Sequence, residues 1–323
     1  MIASSVITMG ALSRRIAGQR LVQFVLVTLV VCSLCFLIVQ QLPGDVAFRI
    51  AAGRYGYDYV TADAAEAVRR ELGLDLPAWQ QFVRWVGRTL SGDFGVSLVT
   101  GVGVATELGE HLRNTFELAL SSLFLAMLVG LPVGVLSGLR PGGGLDRLTL
   151  AWTVAARALP AFMFGLLLIL VFSVHLEWFP VAGNEEGGTL LLPTITLAAG
   201  LAGLMARIVR DNVIQVTASE YYRFALYKGL SPASVFFRHG LRNIGVTSIT
   251  YAGMQLILLL EGVVVVESLF AWPGLGHALV HSVFWRDVPM IQGCALMMAW
   301  LFVGMNTVTD LACLAIDPRG RRE

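Results

Sequence analysis

Side chains able to do chemistry are few and widely spaced. The chain holds one lysine, Lys228, between Tyr227 and Gly229; a phosphate-cradling loop needs Gly-Lys-Ser/Thr, so ATP hydrolysis by that route is excluded. Cys32 and Cys35 form a C-x-x-C, but they, Cys294 and Cys313 all lie in apolar runs, where they act as small hydrophobes and frame neither a disulfide scaffold nor a zinc site. His277 and His281 stand four apart, a spacing that either chelates a metal transiently on a helix or lines a surface. His111, His175 and His239 are isolated. No nucleophile and base fall together, so the chain itself reads as non-catalytic. Arg157 stands about ten residues into an apolar run, roughly 15 Å deep. A guanidinium there costs about 3 kcal/mol on insertion scales, so either it pairs with an acid, Asp310 being nearest in depth, or it faces a water-filled path. Glu117 and Glu261 lie near the ends of their runs, solvated or lining.

The elements that must position these groups are membrane spans. Of 323 residues, 56% are hydrophobic and only 14% charged, against about a quarter charged in soluble domains. A net charge of +1 leaves no basic field for nucleic acid. Apolar runs cover Leu21–Leu42, Thr115–Leu139, Leu148–Phe172, Leu190–Ile208, Ile244–Val266 and Met290–Ile316, each long enough to span. The first is longer than a signal-peptide core. Pro160 inside the third predicts a kink. Lys and Arg fall fourteen to one side, against six in segment 43–112 and Arg286 in the last outer loop. By the positive-inside rule both termini are cytoplasmic. The division is thus an N-terminal tail 1–20, a first helix 21–42, an extracytoplasmic lobe 43–112, a five-helix core 113–316 and a tail 317–323. Within the lobe Trp79, Phe82, Val83, Val86 and Leu90 recur at helical spacing, so that this helix packs on the bundle or lies in the interface.

Loop 209–243 is the most basic. Thr217–Lys228 contains helix formers and no breaker, Gly229 supplies a left-handed cap, Ser231 an N-cap and Pro232 a first-turn residue. Two short helices joined at an angle follow. Ala225 and Gly229 share a face that another surface can approach, flanked by Tyr221, Tyr222 and Leu226.

The run Glu220-Tyr221-Tyr222-Arg223-Phe224-Ala225-Leu226-Tyr227-Lys228-Gly229-Leu230-Ser231-Pro232, ending in Arg238 to Asn243, resembles the EAA loop of binding-protein-dependent ABC importer permeases, and most closely the dipeptide, oligopeptide and nickel branch. Leu42-Pro43-Gly44-Asp45, Leu72 to Pro77, Gly92-Asp93-Phe94-Gly95-Val96-Ser97, Phe270 to Gly276, Arg286-Asp287 and Asp317-Pro318-Arg319 extend the likeness along the chain. The resemblance implies an all-α type I importer fold of six transmembrane helices in a bacterial inner membrane. The loop then docks in a cleft of an ATP-binding subunit through Glu220, Tyr221, Tyr222, Ala225, Gly229, Leu230 and Ser231. Ala225 and Gly229 match the alanine and glycine of the motif; Arg223, Phe224 and Arg242 replace its glutamate, first alanine and proline. The implied partners are a second permease, two ATP-binding subunits carrying ATP and Mg, and an extracytoplasmic solute-binding protein. The expected cargo is a di- or oligopeptide, with nickel or a metal chelate as the alternative. An ion-driven carrier is the rival from another class, but it calls for acids or histidines at mid-depth on several spans.

Overall fold

The computed structural model describes residues 2–41, 45–55, 61–180 and 190–316. Leu42-Pro43-Gly44, residues 181–189 and the tail motif Asp317-Pro318-Arg319 lie outside the described residues, as do the side chains of His239, Arg242, Glu261 and Cys313. The described residues are helical, with one isolated antiparallel bridge, Val96 to Gly103. The helices are α1 (Ile2–Gln41), α2 (Val46–Tyr55), α3 (Ala62–Leu72), α4 (Ala78–Leu90), α5 (Val104–Leu139), α6 (Gly144–Ala158), α7 (Ala161–Leu168), α8 (Leu191–Ala218), α9 (Glu220–Tyr227), α10 (Pro232–Val235), α11 (Leu241–Leu269), α12 (Leu275–Trp285) and α13 (Val288–Ile316). Among them α1, α5, α8 and α13 are long and apolar enough to cross a membrane, and α6 with α7 forms a bent fifth. Helix α11 is 29 residues long, about 43 Å; among the described residues four spans, or five with the bent pair, meet the length and composition of a crossing helix, against the six runs of the sequence.

The third span is not one kinked helix. Its halves meet at 103°, because Leu159 and Pro160 are both extended (ψ 122° and 143°). A proline pushes the residue before it out of the helical region as well as removing a hydrogen bond. Two non-helical residues in succession turn the chain. Arg157 therefore occupies the last turn of α6, with its side chain exposed, and its depth cannot be counted along a straight axis.

The chain forms two compact units, one of Met1–Ala17, Thr115–Trp272 and Met305–Glu323, the other of Gly18–Asn114 and Pro273–Gly304. At the centre of the first stands α8: 67% of its most apolar window is buried, against 11% for α1. One cluster joins α8 to α5 and α11 through Leu118, Leu197, Leu201, Leu259 and Val263; another gathers Met205, Val209, Val213 and Val216 with the residues that follow α8. Hydroxyl and amide groups fasten neighbouring helices to backbone. Thr153 Oγ1 donates to the Gly203 carbonyl (2.9 Å), Gln255 Nε2 to Leu201 (3.1 Å) and Thr309 Oγ1 to Gly253 (3.2 Å), the hydrogen-bond glue of apolar helix bundles.

The close approach of α5 to α8 rests on Gly130, Gly134 and Gly138. A Cβ there would stand 2.9, 2.5 and 2.7 Å from the carbonyl oxygens of Ala202, Ala206 and Arg210. This small-residue stripe lets two backbones meet.

In the second unit, α2 and α3 pack through Ala51, Ala65 and Val68. Ser97 Oγ donates to Asp287 Oδ2 (2.5 Å), and Asp287 Oδ1 accepts from the Met290 amide at the start of α13 (3.3 Å). The Gly92–Ser97 and Arg286-Asp287 motifs, far apart in sequence, are one contact. In α4, Phe82 packs edge-on to Phe36 at 5.4 Å, while Trp79, Val83 and Leu90 are exposed.

Gly134→Ala is expected to destabilise the protein by about 1–3 kcal/mol, because a backbone oxygen cannot give way. Gly304→Ala, where a Cβ meets nothing within 4 Å, should be neutral. Thermal melting of the two variants in one detergent checks this.

Candidate functional site

Helix α8 ends at Ala218 because Ser219 turns extended (φ −71°, ψ 149°), and α9 starts at Glu220. The helix expected over Thr217–Lys228 is therefore divided, its first two residues belonging to α8. Gly229 then takes φ +82°, the left-handed cap that favours glycine. Ser231 Oγ accepts from the Ser234 amide (3.3 Å), and Pro232 opens α10. A π-helical turn, Phe236–Gly240, leads into α11. Asn243 Nδ2 donates to the Tyr221 hydroxyl (2.9 Å), tying the entrance of the bend to its exit.

The bend has two faces. Tyr222 and Ala225 are buried against Val216, Val235 and Phe236, where burial pushes the Tyr222 phenol up. They brace the loop from within and are not on the accessible face. The outer face carries Tyr221, Phe224 (60% exposed), Tyr227 (85%), Leu230 and Phe237, with Gly229 and Ser231 exposed beside them. Lys228 Nζ sits 4.7 Å from the centre of the Phe224 ring, and Glu220 pairs loosely with Arg223 at 3.8 Å. Five exposed apolar side chains, four of them aromatic, thus line the outside of the bend.

Beyond the apolar run of α8, buried Asp146 and partly buried Arg210 form an ion pair. Arg210 Nε donates to Asp146 Oδ1 and Nη2 to Oδ2 (2.9 Å), while Ser137 Oγ (3.0 Å) and the Gly142 amide (2.7 Å) also donate to the carboxylate. Asp146 is 2% exposed. The Arg210 hydrogen bonds, then that of Gly142, hold its carboxyl well below the usual carboxylate range. Both partners lie beyond the apolar runs, so the pair fastens the turn between α5 and α6 to the end of α8 from which α9 hangs. The sequence signal was two opposite charges at neighbouring span ends, but their separation of 64 residues shows no local pattern.

Other candidate residues are placed elsewhere. Among the described residues Arg157 forms no ion pair with Asp310. The His277 and His281 rings stand 4.4 Å apart on α12, and burial pulls the His277 imidazole down. Among the described residues no three His, Cys, Asp or Glu gather to hold a metal. His111 Nδ1 lies 2.8 Å from the Pro273 carbonyl, which also accepts from Asn114 Nδ2 (3.0 Å); these contacts fix the start of the α12 segment.

Residues 130–322 match the family described as binding-protein-dependent transport system inner membrane component, and residues 13–115 match the N-terminal region of such membrane components. The chain belongs to this family of permeases, membrane components of transport systems that work with ATP-binding and solute-binding partners. It is 38% identical over 300 residues to the glutathione transport system permease protein GsiC of Escherichia coli strain K12, covering 93% of this chain and 96% of that protein; the GsiC of Shigella dysenteriae serotype 1 matches equally. The likeness supports the peptide and nickel branch. A crystal structure of an amino acid ABC transporter with histidines shares the fold at TM-score 0.50 and 16% identity, over 64% of this chain and 93% of that one.

Asp146→Ala, which leaves partly buried Arg210 paired with Asp211 alone and strips the Ser137 and Gly142 donors of their acceptor, should destabilise the protein by about 2 kcal/mol. Because the carboxyl is held low, its contribution is complete above the ordinary carboxylate pKa of about 4 and is lost only as pH falls through the lower folded value. Melting at pH 5.5 and 7.5 should therefore show the same loss.

Proposed function

We propose that this chain forms half the translocation path of an ATP-driven importer for small peptides of the glutathione type, and that the outer face of α9 is the surface its ATP-binding subunit grips. The exposed aromatic face carries this reading. It projects from a bend tied at both ends, and closure of two ATP-binding subunits over ATP and Mg would drag it sideways. Its buried side, Tyr222 and Ala225, passes that displacement to α8, and Asp146 passes it on to the α5–α6 turn. A nucleotide bound elsewhere thereby biases a two-state membrane element, as coupling requires.

The basic residues around α9 and the α5–α6 turn support a cytoplasmic setting for this face, with both chain termini on the same side of the inner membrane. The lobe then faces a solute-binding protein. A complete transporter pairs the chain with a second permease and two ATP-binding subunits, and ATP and Mg stay with the latter. The peptide-type cargo is supported by the likeness to glutathione permeases; a nickel or chelate cargo is the competing outcome.

With the complex in liposomes, a binding protein loaded with glutathione or a short peptide should raise ATP hydrolysis; stimulation by nickel-loaded protein alone would reverse the cargo assignment. Replacing both Phe224 and Tyr227 by Asp should lower co-purification of the ATP-binding subunit by about 30-fold, the scale of an aromatic hot spot. Membrane insertion should be unchanged, and undiminished co-purification would contradict the docking face.

A further inference from the structure

The second unit contains a cavity of about 480 Å³ whose described lining includes the last turns of α1, the first turn of α13 and one face of α4. We infer that it binds an anionic phospholipid, with Arg84 and Arg88 holding the phosphate and Phe36, Val39 and Trp85 receiving the upper part of an acyl chain. This goes beyond the transport reading and does not depend on the cargo.

The face of α4 toward the cavity is Gln81, Arg84, Trp85 and Arg88, spaced i, i+3, i+4, i+7 and so aligned in one stripe. The arginine at the cavity edge, Arg69, is already paired with Asp45, and the Asp93 carboxylate accepts from the Gly95 amide in its own turn (3.0 Å). Among the described residues, Arg84 and Arg88 have no acidic partner. Room for Arg84 is made by Gly73: its left-handed φ of +68° ends α3, and a Cβ there would stand 2.7 Å from the Arg84 guanidinium. Arg84 and Arg88, one turn apart and outnumbering the single unpaired carboxylate of the lining, Asp93, suit a phosphodiester, which takes several charge-assisted hydrogen bonds in a planar fork.

A second observation selects a lipid over a free anion. The opposite edge of α4 bears Trp79 (66% exposed), Val83 and Leu90, and a helix with one cationic face and one exposed apolar face lies in the membrane interface. The cavity lies at the last turns of α1 and the first turn of α13, two apolar spans. Its volume suits a headgroup and the top of a chain. Inorganic phosphate would leave the aromatic wall unused.

The test is native mass spectrometry of the full complex with phosphatidylglycerol and phosphatidylcholine of matched chains. Phosphatidylglycerol should be retained in preference, and Arg84→Gln with Arg88→Gln should weaken that retention by about 30-fold, as expected for two interfacial cations. Arg140→Gln, an exposed change in the α5–α6 turn, should not. The charge-keeping pair Arg84→Lys and Arg88→Lys should retain most of the preference and serves if the glutamine pair does not accumulate. Equal retention of the two lipids by the unaltered complex, unchanged retention in the glutamine pair, or displacement by millimolar phosphate or glutathione would overturn the assignment.

Discussion

A carboxylate and a guanidinium cannot each be left alone beside packed apolar helices, and the pairing of Asp146 with Arg210 answers that constraint at the point on which the rest of the core depends. Either charge alone would carry a desolvation penalty of several kcal/mol. Together, with Ser137 and the Gly142 amide filling the remaining acceptor positions, they make the turn between α5 and α6 and the end of α8 move as one. The glycine stripe on α5 extends the same union upward by bringing its backbone against α8. Beyond Arg210, α8 continues directly to Ser219 and the bend.

That continuity gives the bend its mechanical meaning. A loop whose aromatic face were flexibly attached would bind a partner without moving anything. Here the inward side chains Tyr222 and Ala225 share one packed cluster with Met205, Val209 and Val213 of α8, and packed cores shift between arrangements rather than deform continuously. In the proposed function the exposed and buried faces of α9 divide two tasks, holding the partner and transmitting its motion.

Much of this was legible in the sequence. The apolar runs announced the spans, and Gly229, Ser231 and Pro232 announced the bend, because caps act locally. What sequence reasoning missed required distance or direction. Pro160 was visible, but the matching extension of Leu159 turned a kink into a break and removed the basis for setting Arg157 against Asp310. The face of Ala225 depended on where α8 stopped. Gly130, Gly134 and Gly138 were a readable G-x-x-x-G signal in an apolar run that went unused, whereas the contact of Asp146 with Arg210 and that of Ser97 with Asp287 join residues no local pattern connects.

The most direct test is proximity. In a chain whose four cysteines are replaced, Phe224→Cys, Tyr227→Cys and Leu230→Cys should each cross-link to the ATP-binding subunit through a short bifunctional maleimide, with a yield that changes when ATP is added. If those positions instead react with a membrane-impermeant maleimide applied to the outside of intact cells, the face lies on the wrong side of the membrane and the coupling account fails.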